Sequence, residues 1–266
     1  MAHVTRVGLA IDGDNLYRGY SVKDELVGQA SFWRMMSLAI RGPELSDAQC
    51  HLLDVILSAS AAADPRIWPL KMVRVAGSSG GFWSALGSAL LMVDGASVGA
   101  SPAAQVVSML RVLKALLSEG APLEDVIEQI RVESGGRLAG FGVAGRGEDE
   151  RYLAIKGWFD QHYRQGEADT TYWNLFHQIQ PIIKARYGLQ PNLLTCQVSL
   201  LMDMGFNEDQ IPIMVTLSLL PCYIANAYEA TVCEEAKMPE RLDSTRVKYV
   251  GKSSRSVATR EGVDQG

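Results

Sequence analysis

The stretch SPAAQVVSMLRVLKALLSEG, residues 101–120, decides the fold class. It opens on Ser101 and Pro102, a capping residue followed by a first-turn proline, and it stops at Gly120. The same grammar continues on both sides. Upstream, residues 31–40 (SFWRMMSLAI) start on a capping Ser31, and a second helix begins at Ser46 with Leu52, Leu53, Val55, Ile56 and Leu57 as a broad apolar stripe. Downstream, residues 122–134 put Val126, Ile127 and Ile130 on one face, and residues 151–165, 171–188 and 209–220 repeat the pattern, with Gly188 as a stop. Alternating runs are short and rare; RVGLAID (6–12) and RVKYVG (246–251) are the two fair strand candidates. The expected fold class is all-α.

The 266 residues are 47% hydrophobic and 21% charged, which suits a packed core in one large or two modest domains. A net charge of −5 without a basic run argues against a nucleic-acid partner, and Trp33, Trp68, Trp83, Trp158 and Trp173 are too dispersed for a base-stacking platform. Cys50, Cys196, Cys222 and Cys233 form no CxxC pair, which argues against zinc and a disulfide framework and fits a reducing cytoplasm. No secretion signal is visible in MAHVTRVGLAIDGDN. Residues 211–228 are uncharged, but Pro221 and Asn226 within them favour a buried helix over a membrane span.

Few motifs carry chemistry by themselves. GSSGG (77–81) lacks the Lys-Ser or Lys-Thr of a phosphate loop, so its small residues are expected to allow close helix packing. His3, His51, His162 and His177 have no metal-ligand spacing, so no metal is expected, and His177 reads as a satisfied core or interface histidine. Glu148, Asp149 and Glu150 suit a helix start. AGFGVAGRGEDERYL (139–153) is a loop built on Gly140 and Gly142, yet the position after the second glycine is Val143.

The order of the segments resembles the citrate synthase superfamily. Residues 11–49 carry Arg18, Gly19, Tyr20, Ser31, Phe32, Gly42 and Leu45 where that family has its Arg-Gly-Tyr opening and first helices. Residues 73–101 resemble its small-residue helix and histidine turn, 140–155 its Gly-Phe-Gly-His loop leading to Asp-Pro-Arg, 188–206 its Pro-Asn-Val-Asp segment, and 246–255 its closing Arg-Pro-Arg-x-x-Tyr-x-Gly. The compact citryl-CoA lyase members are the nearest in length and loop. The resemblance implies a large domain (1–98 with 220–266) and a small one (99–219), a homodimer or a heteromer with a homologous subunit, and a site closing on a CoA thioester and a dicarboxylic acid. In the family an aspartate removes a proton from the thioester methyl, one histidine stabilises the enol, a second polarises the partner carbonyl, and arginines hold the carboxylates.

The three working positions map here onto Ser97, Val143 and Leu194. Valine and leucine move no proton, and none of the four histidines lies near these positions. Cys196 beside Leu194 lacks a partner histidine and is a weak nucleophile candidate. Arg151 and Arg246 stand near the family's carboxylate-binding arginines, and Gly140 and Gly142 keep the loop backbone. The expectation is a protein that binds an acyl-CoA or an organic (di- or tricarboxylic) acid through Arg151, Arg246, Ser97, Val143 and Leu194. The usual carbon–carbon bond chemistry is lost or replaced, and no cofactor is held permanently. An enzyme of altered chemistry on a related substrate and a non-catalytic partner subunit are the alternatives.

Overall fold

The structure, a computed structural model, describes residues 3–61, 64–93, 95, 99–143, 147–163, 169–239, 242–243 and 245–253, and of Trp68 only the backbone. Three short strands come first: β1 (Gly8–Ile11), β2 (Asp14–Tyr17) and β3 (Tyr20–Ser21), antiparallel in the order β1-β2-β3. Gly13 and Gly19, with φ of 82° and 96°, make the two tight turns. The first strand follows the sequence expectation, while β2 and β3 are too short and too polar to carry an alternation signal. Arg18 ties the sheet to the helices by donating from its guanidinium to the Ala39 carbonyl.

Eleven α-helices follow among the described residues: α1 (Phe32–Ala39), α2 (Asp47–Ser60), α3 (Trp68–Ser79), α4 (Phe82–Met92), α5 (Ala100–Ser118), α6 (Leu123–Glu133), α7 (Glu150–His162), α8 (Thr171–Tyr187), α9 (Leu193–Asp203), α10 (Ile211–Ser218) and α11 (Leu220–Val232). The protein is all-α apart from the small sheet. Ser31 caps α1, and Ser46 with Gln49 forms a reciprocal capping box on α2. Gly188, at φ 66°, closes α8.

Three local expectations are corrected. Helix α5 starts one residue before Ser101, and its N-cap is Gly99 at φ 104°. The chain doubles back so tightly there that a Cβ on Gly99 would collide with the Val93 carbonyl, so glycine takes the place of a side-chain cap. Residues 246–251 form no strand; they pair with no other strand, and Tyr249 and Val250 are exposed. The uncharged run 211–228 is two helices, α10 and α11, bent by 43° around Leu219.

The buried residues group into two cores. The larger joins Trp33, Leu52, Leu53 and Ile56 of α1 and α2 to the inner faces of α5 to α10. The smaller packs α3, α4 and α11 through Leu70, Val73, Ala85, Ala89, Cys222, Tyr223 and Ala227. A Cβ on Gly77 would stand 2.8 Å from the Ala230 Cβ, so the glycine lets α3 approach α11 closely, as its small-residue context implies. Helix α5 is long and apolar enough to cross a membrane by length and composition, yet Val106, Val107, Leu110 and Leu113 face the larger core.

Candidate functional site

The Gly-Phe-Gly loop is fastened to the start of α9. Gly140 and Gly142 adopt φ of 78° and 97°, which lets the loop turn sharply on either side of buried Phe141. The Gly140 carbonyl accepts from the Asn192 amide at 3.0 Å and from Thr195 Oγ1 at 2.7 Å. The Gly142 amide donates to the Gln190 carbonyl at 2.7 Å, and Phe141 bridges Pro191. A Cβ on Gly140 would collide with Thr195 Oγ1, so the contact exists only because residue 140 has no side chain.

Asn192 is the hinge pin of this junction. Its Nδ2 donates to the Gly142 carbonyl at 3.1 Å, and its Oδ1 accepts from the Leu194 amide at 3.0 Å, capping α9. One side-chain amide therefore spans the peptide that leads into Val143 and the backbone of Leu194. Both Val143 and Leu194 are half-buried. The structure thus brings these two expected positions together; Ser97 lies outside the described residues.

Asp149 is the second tie. It is 1% exposed, and its two oxygens accept four N–H groups. Oδ1 takes the Arg151 amide (3.1 Å) and Arg151 Nε (2.8 Å), while Oδ2 takes Arg151 Nη2 (2.7 Å) and the Leu193 amide (2.9 Å). The carboxylate caps α7 and reaches across to the first turn of α9. Burial alone pushes its pKa up, but the Arg151 pair and the Leu193 amide outweigh that and hold it below the usual carboxylate value. Arg151 is therefore already engaged by an internal carboxylate. Arg246 lies on the exposed segment 245–253, with Nε 4.0 Å from Asp243.

Neighbouring groups are satisfied or inert. Burial drives the Cys196 thiol well up, and Cys222 up to about 11, so neither offers a thiolate at neutral pH. His177 shares Nδ1 with the Trp173 carbonyl (2.8 Å) and Nε2 with the Tyr152 hydroxyl (3.3 Å), and burial lowers its pKa; it is the satisfied core histidine expected. No group of three or more metal-ligating side chains occurs among the described residues. The sequence reading missed the internal role of Asp149 and the bridging role of Asn192. The first had a signal, an acid two residues before Arg151 at a helix start; the second had only an asparagine ahead of an apolar helix.

Comparisons with known proteins bear on the fold and the family. The family model described as the citrate synthase C-terminal domain matches residues 71–241. No curated protein matches the sequence. Among solved structures, citryl-CoA lyase from Hydrogenobacter thermophilus superposes with a TM-score of 0.73 at 19% identity, over 97% of this chain and 98% of that one. ATP citrate lyase from Methanothrix soehngenii, in complex with citrate and coenzyme A, gives 0.75 at 17% identity over 95% of this chain and 42% of that one. Citrate synthase from Thermoplasma acidophilum, with carboxymethyl coenzyme A and oxaloacetate, gives 0.63 at 18% identity over 85% of this chain and 58% of that one. At these identities the likeness is one of fold. With the family match covering more than half of its length, the chain belongs to the citrate synthase family.

Proposed function

We propose that this protein binds a CoA thioester or an organic acid at the junction of the 139–143 loop with the start of α9 and does not perform the family's carbon–carbon bond chemistry. The observation that carries this reading is the junction at Asn192, which sets the backbones of Val143 and Leu194 within reach of a single side chain. Carbon–carbon chemistry on a thioester needs a base at its methyl group and a polar group where negative charge develops. Two aliphatic side chains supply neither. The binding half of the reading draws on the relatives, whose complexes hold citrate with coenzyme A, or carboxymethyl coenzyme A with oxaloacetate.

The test is thermal unfolding of the full chain with acetyl-CoA, free CoA, oxaloacetate and citrate, alone and in pairs, with free thiol followed in the same wells. A ligand that binds only the native state raises its stability, by about 2.7 kcal/mol at a hundred times Kd. The expected result is a raised Tm without thiol release. Release of thiol from acetyl-CoA with oxaloacetate would overturn the non-catalytic reading.

A second reading, a subunit completed by another copy or a homologous chain, has its own support. Helices α4 and α11 leave Trp83 (78% exposed), Leu91 (77%), Tyr228 and Val232 uncovered on the smaller core.

A further inference from the structure

We infer that the groove between α2 and α7 binds a primary aliphatic amine as its ammonium ion. This is a second site, distinct from the junction of the 139–143 loop with α9.

The groove has a volume of about 350 Å³, within the usual range for small-ligand sites. Much of its lining is aliphatic: Val55 and Ala59 come from α2, Ala154 and Ile155 from α7. Val55 and Ala59 are half-buried against the larger core, Ile155 is fully buried, and Ala154 is exposed. Trp158 also lines the groove, but its indole already stacks on two imidazoles. His51 lies 5.2 Å away at 28°, and His162 lies 4.5 Å away at 12°. That stack leaves the aliphatic side chains to meet the body of a ligand.

The polar groups of the lining select for positive charge. Asp54 receives the Trp33 indole N–H on Oδ1 at 2.7 Å, and among the described residues no lysine or arginine pairs with it. Ser58 donates its hydroxyl proton to the Asp54 carbonyl at 2.8 Å, so its oxygen is left to accept. A carboxylate and a hydroxyl acceptor beside aliphatic side chains suit an alkylammonium. Its three N–H groups need acceptors, and its chain gains by leaving water. A ligand carboxylate would meet Asp54 with like charge.

The deciding experiment is titration calorimetry of the full chain, at about pH 8, with butylamine, hexylamine, hexanol and hexanoate. The expected result is saturable binding of hexylamine, tighter than butylamine, about three- to fivefold tighter than hexanol, and with hexanoate weakest. Asp54→Asn keeps an acceptor for Trp33 Nε1 and should bring hexylamine down to the level of hexanol. Ala154→Phe sets a ring into the groove from an exposed position and should abolish binding of both amines. Each variant is checked for wild-type helix content and Tm. Hexylamine binding no tighter than hexanol or hexanoate would overturn the inference. So would undiminished binding in a folded Asp54→Asn or Ala154→Phe protein, or no binding of either amine. None of these outcomes bears on the recognition of CoA thioesters or organic acids.

Discussion

Two aspartates in this fold respond to pH in opposite senses because their partners differ. Asp149 has a guanidinium and two amides, and its pKa is lowered. Its stabilisation is present above the unfolded value and is lost only as pH falls through the folded value, in strong acid below about 4. Asp149→Ala removes the α7 cap and strips Arg151 of its partner, so a loss of about 3 kcal/mol at pH 7 is expected in urea unfolding. Among the described residues Asp203 accepts from the Tyr172 and Trp173 amides at the start of α8, each at 2.8 Å, and burial pushes its pKa up to about 6. In the unfolded chain it ionises near pH 4, ahead of the folded state, so its contribution falls as pH rises from about 4 to 6. His177, lowered by burial, works the other way, losing stability as pH drops below its unfolded value of about 6.5. The contrast between the wild type and Asp203→Asn isolates the aspartate: the variant should lose the gain in stability between pH 7 and pH 5. An unchanged slope would mean that Asp203 is already ionised throughout that window.

At the scale of elements, the loop 139–143 and helix α9 act as one unit, and its two glycines are not equivalent. Gly140 combines a positive φ with a side of the backbone filled by Thr195 and Val106, whereas Gly142 has a positive φ and, among the described residues, only Leu189 Cδ2 within reach, at 3.9 Å. Gly140→Ala should cost about 3 kcal/mol from backbone strain and overpacking, and Gly142→Ala about 1 kcal/mol from backbone strain alone. Adding Thr195→Ala to Gly140→Ala should return part of the loss, since the threonine hydroxyl is the nearest obstacle. Additive losses in that double-mutant cycle would show that the strain lies in the backbone and not in the collision. The helices themselves were legible because caps and apolar spacing are local: Ser31, Ser46 and Gly188 do what their positions imply. The start of α5 was not, because Gly99 caps by conformation and leaves no capping side chain to read. The segment 246–251 misled because alternation without a neighbouring strand makes no sheet. In the candidate site segment order pointed to Val143 and Leu194, and the structure links the peptide before the one to the amide of the other through Asn192. The Asp149–Leu193 contact joins residues 44 apart and depends on tertiary packing that no local pattern encodes.

At the scale of the whole molecule, the smaller core is the element least able to stand alone. Its buried members are few, three of them alanines, while the outer faces of α4 and α11 present Trp83, Leu90, Leu91, Ile224, Tyr228 and Val232 to solvent. A helix that is apolar on both its inner and outer faces is one that expects cover on both. Within α4 there is no charged residue to keep the outer face solvated, and on α11 the one charged side chain, Glu229, is paired with Arg74. The expected outcome in sedimentation velocity is therefore a self-associated species at micromolar concentration, with a Tm that rises with protein concentration because association favours the native state. Trp83→Glu together with Leu91→Glu should shift the species to monomer and abolish the concentration dependence. Both side chains are exposed, so the substitutions leave the inner packing of Ala85 and Ala89 untouched and the monomer should still fold. A wild type that sediments as a monomer, with a Tm independent of concentration, would remove self-association as the purpose of this face. The requirement for cover would then fall on a homologous chain, which the same double substitution should prevent from binding.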